Sequence, residues 1–398
     1  MSARVGVSTA ALAVLWLGAA SPVALAQGTG RSMDIDVSVR SAAMGGASTA
    51  VFWGEELNHW GNPALLGSLN GLRYETGRTQ LVPVLATDVR FDTRTWKGGH
   101  AGLGVFVSRA PGRAGGVYLD YGVRQGTDPF GNPTPAFRSY EAVDSWGAGV
   151  SAAALAANLY RWSGREPPAL LRFVDVSAGM SFKFLEMVLA PVSFGAGGTD
   201  ARDAGVLVRV TPIDGLATAT GAPVRVDLAW GHSWLSYNDD ARVRFLTEDA
   251  RVSRHRRSGF AGRFAATVPG FPARAGAGAL VTELLRGLTP LVSLGLAKDQ
   301  SVIDGGDGTF AYETDGYGME VVLANLLTYR HGHHEDLVGG IDGATWGWAI
   351  ALPVGPWAEV RYEQGRFPQC CGLADLDRRA TAFWVDPVAI WRSTHAAR

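Results

Sequence analysis

The chain has 398 residues, 47% of them hydrophobic, with 36 basic and 37 acidic side chains and a formal net charge of −1. That near-neutral balance argues against nucleic acid as the main partner. Past the first 26 residues there is no run of about 18 apolar residues, so no membrane-spanning helix is expected. Of the basic residues, only Lys97, Lys183 and Lys298 are lysine, a skew read as compositional bias.

Residues 1–26 read as a secretory signal. Arg4 supplies the positive start, Ala10 to Ala20 the apolar middle, and Ala24-Leu25-Ala26 the small-residue cleavage site. The apolar run is shorter than the roughly 20 residues a spanning helix needs. The exported chain is expected to begin near Gln27. Residues 27–68 follow as a separate segment, too glycine-rich for a good helix and too irregular for a strand. It contains Met44, Gly45 and Gly46, then Glu55 and Glu56, then Trp60, Asn62 and Pro63.

From about Leu69 to the end, residues 69–398, alternation with period two dominates. It runs through Leu103 to Ser108, and through Val117 to Arg124, where the odd positions are apolar. Asp128 to Pro135 is a proline-rich loop. Ser151 to Trp162 is ambiguous between strand and short helix. In Phe173 to Phe184 one face carries Val174, Val176, Ala178, Met180, Phe182 and Phe184. The other carries Asp175, Ser177, Gly179, Ser181 and Lys183. Val206 to Thr211, Val224 to Trp230 and Trp357 to Glu363 alternate likewise. Asn238 to Asp240 and Asp304 to Gly308 read as tight turns. Successive strand side chains point to opposite faces, so each of these strands has one apolar and one polar or small face.

Two all-β architectures fit: a soluble sandwich or propeller with its apolar faces inward, or an antiparallel transmembrane β-barrel with apolar faces toward lipid. The barrel is favoured. The runs are about 9 to 12 residues long, as tilted membrane strands require, against about 5 to 6 in soluble proteins. The polar faces carry glycine and charge. Aromatics gather near strand ends at Trp230, Trp234, Trp346, Trp348, Tyr362, Trp384 and Trp391, as an interfacial girdle would. At roughly 20 to 25 residues per strand and turn, about 14 strands fit.

Three stretches carry a family resemblance: Ala43-Met-Gly-Gly-Ala-Ser-Thr-Ala-Val51 with Trp60-Gly-Asn-Pro-Ala64, then Asp203-Ala-Gly-Val-Leu-Val-Arg-Val-Thr-Pro212, and finally Gly318-Met-Glu-Val-Val-Leu-Ala-Asn-Leu-Leu-Thr-Tyr-Arg330. In order and content they resemble outer-membrane barrels of the PorV/PorQ type, within the superfamily that includes the fatty-acid transporter FadL. Glu55 and Glu56 stand where that family usually has Asp, and Gly61 separates Trp60 from Asn62. The resemblance implies that residues 27–68 lie inside the barrel, as a moving hatch or as a static plug. Small residues would let the backbone approach the wall, and Asn62-Pro63 would force a turn or kink. Glu55 and Glu56 would pair with luminal arginines such as Arg225 or Arg361.

Chemistry-bearing motifs are scarce. There is no nucleophile elbow, P-loop, zincin or dinucleotide fingerprint. His232 and Ser233 are strand neighbours and face opposite sides, so no catalytic residue is assigned. His331, His333 and His334 with Glu335 and Asp336 read as a solvated loop, with no metal assigned, and no cofactor is expected. The basic run Arg251 to Arg257 reads as a solvated loop face; the alternatives are contact with lipopolysaccharide phosphate if it is extracellular and a preference for anionic ligands if it is luminal. Cys370 and Cys371 are adjacent and read as two thiols or a strained loop disulfide. The expected function is passive transport of hydrophobic or amphipathic molecules across an outer membrane. Its partners would be outer-membrane lipids, lipopolysaccharide and a hydrophobic ligand. The alternative is a scaffold or shuttle that meets secretion-system proteins.

Overall fold

The computed structural model describes residues 30–54, 56–83, 85–109, 116–127, 130–190, 196–217, 223–244, 249–267, 288–304, 310–337, 339–355 and 357–396. Glu55 and the expected signal at 1–26 lie outside the described residues.

The wall is a single closed sheet. Its strands are β1 (Gly71–Val82), β2 (Ala86–His100), β3 (Leu103–Ser108), β4 (Val117–Arg124), β5 (Phe137–Ser151), β6 (Val174–Val188), β7 (Ala196–Ala217) and β8 (Pro223–Leu235). A short hairpin, β9 (Arg242–Arg244) with β10 (Asp249–Arg251), interrupts the series. The wall resumes with β11 (Arg254–Ala266), β12 (Val292–Asp304), β13 (Phe310–Leu323), β14 (Leu327–Asp336), β15 (Ile341–Val354), β16 (Ala358–Phe367) and β17 (Leu376–Val385). Each strand pairs antiparallel with its neighbours, and β1 pairs with β17, so no edge is left open. β3 and β4 are two parts of one wall position. Both pair with β2 on one side and with β5 on the other. The barrel therefore has 14 strand positions, the number expected.

Strand β6 shows how the pattern builds the wall. Asp175, Ser177, Ser181 and Lys183 are buried, while Val174, Val176, Met180 and Phe184 are exposed. In a closed barrel the buried parity is the interior, so the apolar side faces out. A girth of exposed Leu, Val, Phe and Trp in continuous strands is stable only against lipid, and the wall spans a membrane in this sense. No helix among the described residues is long and apolar enough to cross one.

One strand reverses this rule. Val117 and Leu119 of β4 point inward and are fully buried with Phe91, Val143, Leu185 and Met187, while Val123, past the irregularity between Asp120 and Gly122, is exposed. Val243 and Val252 of the β9–β10 region, together with Met33 and Trp60, complete this cluster. On the outer face of the same sector stand polar groups such as Arg138, paired with Asp120. At this far end, opposite β1's start and β17's end, the sector follows the soluble rule, apolar in and polar out.

The connections hold further corrections. Ser151 to Trp162 is a strand end followed by helix α3 (Ala152–Trp162). The Ser151 hydroxyl accepts from Ala154 N (3.1 Å) and donates to Asp175 (2.8 Å), fixing the switch. The histidine run is not a loop: it lies on β14, with His333 outward and bonded to Asp342 (2.9 Å). His334 points inward to Gly45 O (3.0 Å). The arginine run is not a loop face either. Arg254 pairs with Asp304 (2.6 Å), Arg256 faces out, and Arg257 turns inward to Gly46 O (2.8 Å). Trp384 leaves the expected girdle, since it is on the inward parity and donates to Asn70 O (2.8 Å). Cys370 and Cys371 are free thiols in the β16–β17 connection.

Candidate functional site: the N-terminal segment and the interior wall

Residues 30–68 lie against the inward-facing side chains of the wall. They contain two short helices, α1 (Arg31–Asp34) and α2 (Val39–Ala43), and a 3-10 helix (Pro63–Ser68). Asn62 caps the last of these: its side-chain Oδ1 accepts from Ala64 N (3.0 Å), and Pro63 occupies the first helical position. The Asn62 amide donates to Thr49 O (2.8 Å) and to Val206 O on β7 (3.1 Å). Of the turn or kink expected at Asn62-Pro63, the structure shows an extended Asn62 leading into the 3-10 helix, and also a tie between segment and wall.

Close approach is shared between the segment and the wall. Gly45 and Gly46 have φ of +70° and +87°, which favours glycine. The wall answers with inward glycines on strand after strand. A Cβ on Gly318 would stand 2.6 Å from Met44 Cα, and one on Gly347 2.6 Å from Ala43 Cβ. One on Gly149 would stand 2.7 Å from Pro63 O, and one on Gly205 would overlap Asn62. Real Cβ atoms do not come that close, so these positions admit only glycine while the segment is seated.

Polar groups fix the register. Asp299 on β12 accepts from Ser48 N (2.8 Å), Thr49 N (2.8 Å) and Thr49 Oγ1 (2.6 Å). The Trp60 indole donates to Met33 O (3.2 Å), and Lys183 Nζ sits 3.8 Å from the Trp60 ring centre while pairing with Asp203 (2.8 Å).

The largest feature is a buried ionic network. Glu56 bonds Arg330 and also Arg361 (2.7 Å). Arg330 reaches Glu320 (2.8 Å) and Glu363 (2.7 Å), and Arg361 reaches Glu359 (2.7 Å). Arg40 of α2 pairs with Glu320 (2.6 Å). Arg73 pairs with Glu75 (3.2 Å), which also holds Lys97 (3.3 Å). Five basic and five acidic side chains thus connect, with formal charges in balance, which makes so much buried charge tolerable. Burial alone would raise the Glu56 carboxyl, but Arg330 and Arg361 outweigh it and hold it well below 4.5. Burial, aided by Lys97 and Lys183, pushes His59 well below its usual value and keeps it neutral.

Of the two arginines expected to meet the acids, the structure brings Arg361 to Glu56 and not Arg225. Arg225 pairs with Asp227 (2.9 Å) and Asp214 (3.6 Å) at the near end. Its strand position sets it at another level of the barrel. Arg330, Arg40 and Lys97 were missed as partners. Glu320 and Arg330 do, however, stand at the charged positions of the 318–330 stretch, and there the signal was present.

Arg225 lines a cavity of about 790 Å³ at the near end. Phe52 and Trp53 of the N-terminal segment also line it, with Arg209, Asp227 and Arg263 from the wall. Arg209 pairs with Asp175 (3.4 Å) and lies 5.1 Å from the Phe52 ring centre. Arg263 donates to Ser293 Oγ (2.9 Å) and has no carboxylate at ion-pair distance among the described residues. Aromatic faces beside guanidinium groups suit a molecule with an apolar body and an anionic end.

No family model matches the chain, and no curated protein matches it. Among solved structures, it is similar to the Pseudomonas putida toluene transporter TodX, with 12% identity, 88% of this chain and 98% of that chain covered, and a TM-score of 0.41. The Ralstonia pickettii toluene transporter TbuX gives 9% identity, the same coverages and a TM-score of 0.40. A Pseudomonas aeruginosa FadL homologue gives 10% identity, the same coverages and 0.36.

Proposed function

We propose that the protein is an outer-membrane barrel that passes hydrophobic or amphipathic small molecules passively, with residues 27–68 as a hatch. One observation carries this reading: hatch residues Phe52 and Trp53 form part of the near-end cavity's lining. Moving them would extend that cavity along the barrel axis. The lining of aromatic and guanidinium groups favours amphipathic molecules over pure hydrocarbon. The ionic network around Glu56 is the latch, because unseating the segment breaks the buried pairs of Glu56 with Arg330 and Arg361 and of Arg40 with Glu320. The PorV/PorQ and FadL resemblance agrees with a hatch. On this reading the protein is not an enzyme, needs no cofactor, and meets outer-membrane lipids and lipopolysaccharide at its outer wall.

The test is influx of a fluorescent amphipathic carboxylate into vesicles that hold the purified barrel. The expected result is influx above protein-free vesicles for the full chain, and faster influx when residues 30–68 are deleted. Influx only after the deletion would make the segment a static plug and refute gating. No influx in either case would refute transport and leave the secretion shuttle, to be sought by capture of secretion-system proteins.

A further inference from the structure

The outer wall between β8 and β14 is not smooth. A groove of about 660 Å³ runs across it, walled by Leu228, Phe260, Leu296 and Met319. Its sides are among the most exposed apolar groups of the chain: Phe260 is 65% and Leu296 56% exposed. The depression exists because Gly262 has no side chain. A Cβ there would meet nothing nearer than 3.4 Å, unlike the inward glycines, which touch the segment. Toward the far end the groove stops at Lys298 and Tyr317.

That stop coincides with a change in the outward residues. On β12 they run Val292, Leu294, Leu296, then Lys298 and Gln300. On β11 they run Phe264, Gly262, Phe260, then Ser258 and Arg256. Phe260 and Tyr317 flank Lys298 as its cross-strand partners. The apolar band therefore ends at an aromatic level, which is where lipid headgroups begin. The chain's other two lysines, Lys97 and Lys183, face inward and are ion-paired. Lys298 alone faces out, and among the described residues it has no carboxylate at ion-pair distance. The outward acids beyond it on β13 are Asp315, opposite Gln300, and Glu313, which Gln300 bonds (3.0 Å). Arg256, level with Val302, is a further cation on the same face, two outward positions beyond Lys298.

We propose that this groove is a binding site for a phosphorylated, multiply acylated membrane lipid. One acyl chain lies over Gly262, and a headgroup phosphate rests on Lys298. An apolar trough closed by a lone ammonium at headgroup level matches that shape and charge, and a lysine there reaches the interface without burying its charge. The site lies on the outward face and does not depend on passage through the lumen.

The test uses the purified full-length barrel and native mass spectrometry, with bisphosphorylated, hexa-acylated lipid A as probe and its dephosphorylated form as control. Wild type is expected to retain lipid A after detergent exchange. Lys298→Gln should lower retention about tenfold for the phosphorylated probe and leave the dephosphorylated one unchanged. Gly262→Leu, which fills the trough, should lower retention of both. A faster-migrating unboiled band verifies the fold of each variant, and Lys298→Gln decides alone if Gly262→Leu does not fold. Equal retention by wild type and Lys298→Gln would overturn the proposal. So would equal retention of the two probes by wild type.

Discussion

Glu56→Ala is the most informative single change. Glu56 is 6% exposed and is the shared acceptor of Arg330 and Arg361. Its removal leaves five formal positive charges facing four negative ones in a buried network. Arg330 keeps Glu320 and Glu363, and Arg361 keeps Glu359, so the wall retains its own pairs. What is lost is the link that Glu56 makes between segment and wall, while Arg40 still pairs with Glu320. Removing one partner of a buried ion pair costs about 3–5 kcal/mol. At about 1.4 kcal/mol per tenfold, the seated state of residues 30–68 should lose roughly two to three and a half orders of magnitude in its equilibrium constant. The assay is limited proteolysis of the purified barrel, following cleavage within residues 30–68 while the wall stays intact. Cleavage should accelerate by at least about 100-fold in Glu56→Ala, and by less in Glu56→Gln, which keeps the shape and one acceptor. A Glu56→Ala rate within threefold of wild type would refute the latch.

Three further outcomes follow from the same geometry. Gly318→Val puts a Cβ 2.6 Å from Met44 Cα, and overpacking of that kind costs about 1–3 kcal/mol; proteolysis of the segment should rise, while outward Gly262→Ala should leave it unchanged. Lys183→Met strands buried Asp203 and removes the cation over Trp60; the temperature at which the unboiled gel band converts to the boiled one should fall. Because Glu56 is held well below 4.5, its anchoring is fully present above that value and is lost only as pH falls through the lower, folded-state value. The extra protection of residues 30–68 in wild type over Glu56→Gln should therefore persist from pH 7 to about pH 4.5. Loss of that difference already at pH 6 would contradict the sign of that shift.

Much of the barrel was legible because period two survives in single strands. The faces of 173–184 read directly as lumen and lipid. Alternation separates two faces but does not say which is inside, and β4 shows the cost. Val117 and Leu119 pack inward because the β9–β10 hairpin, Met33 and Trp60 cover that end, and none of these contacts is local in sequence. Turn and strand were also confused at the histidine and arginine runs, whose charge suggested solvent. At the candidate site, Glu56 with Arg361 was readable as opposite charge facing one lumen. Arg225 fitted the same argument and failed, since the level of a residue along the barrel depends on strand register. The inward glycines of the wall were visible one by one, but only their shared contact with residues 39–66 gives them a common cause.

The most direct measurement of the central claim is gel mobility of the protein from separated membrane and soluble fractions, with and without boiling. A closed 14-strand membrane barrel predicts a band in the outer-membrane fraction that runs faster unboiled and shifts on boiling. A single unshifted band in the soluble fraction would contradict it, and the hatch, the passage and the lipid groove would fall together.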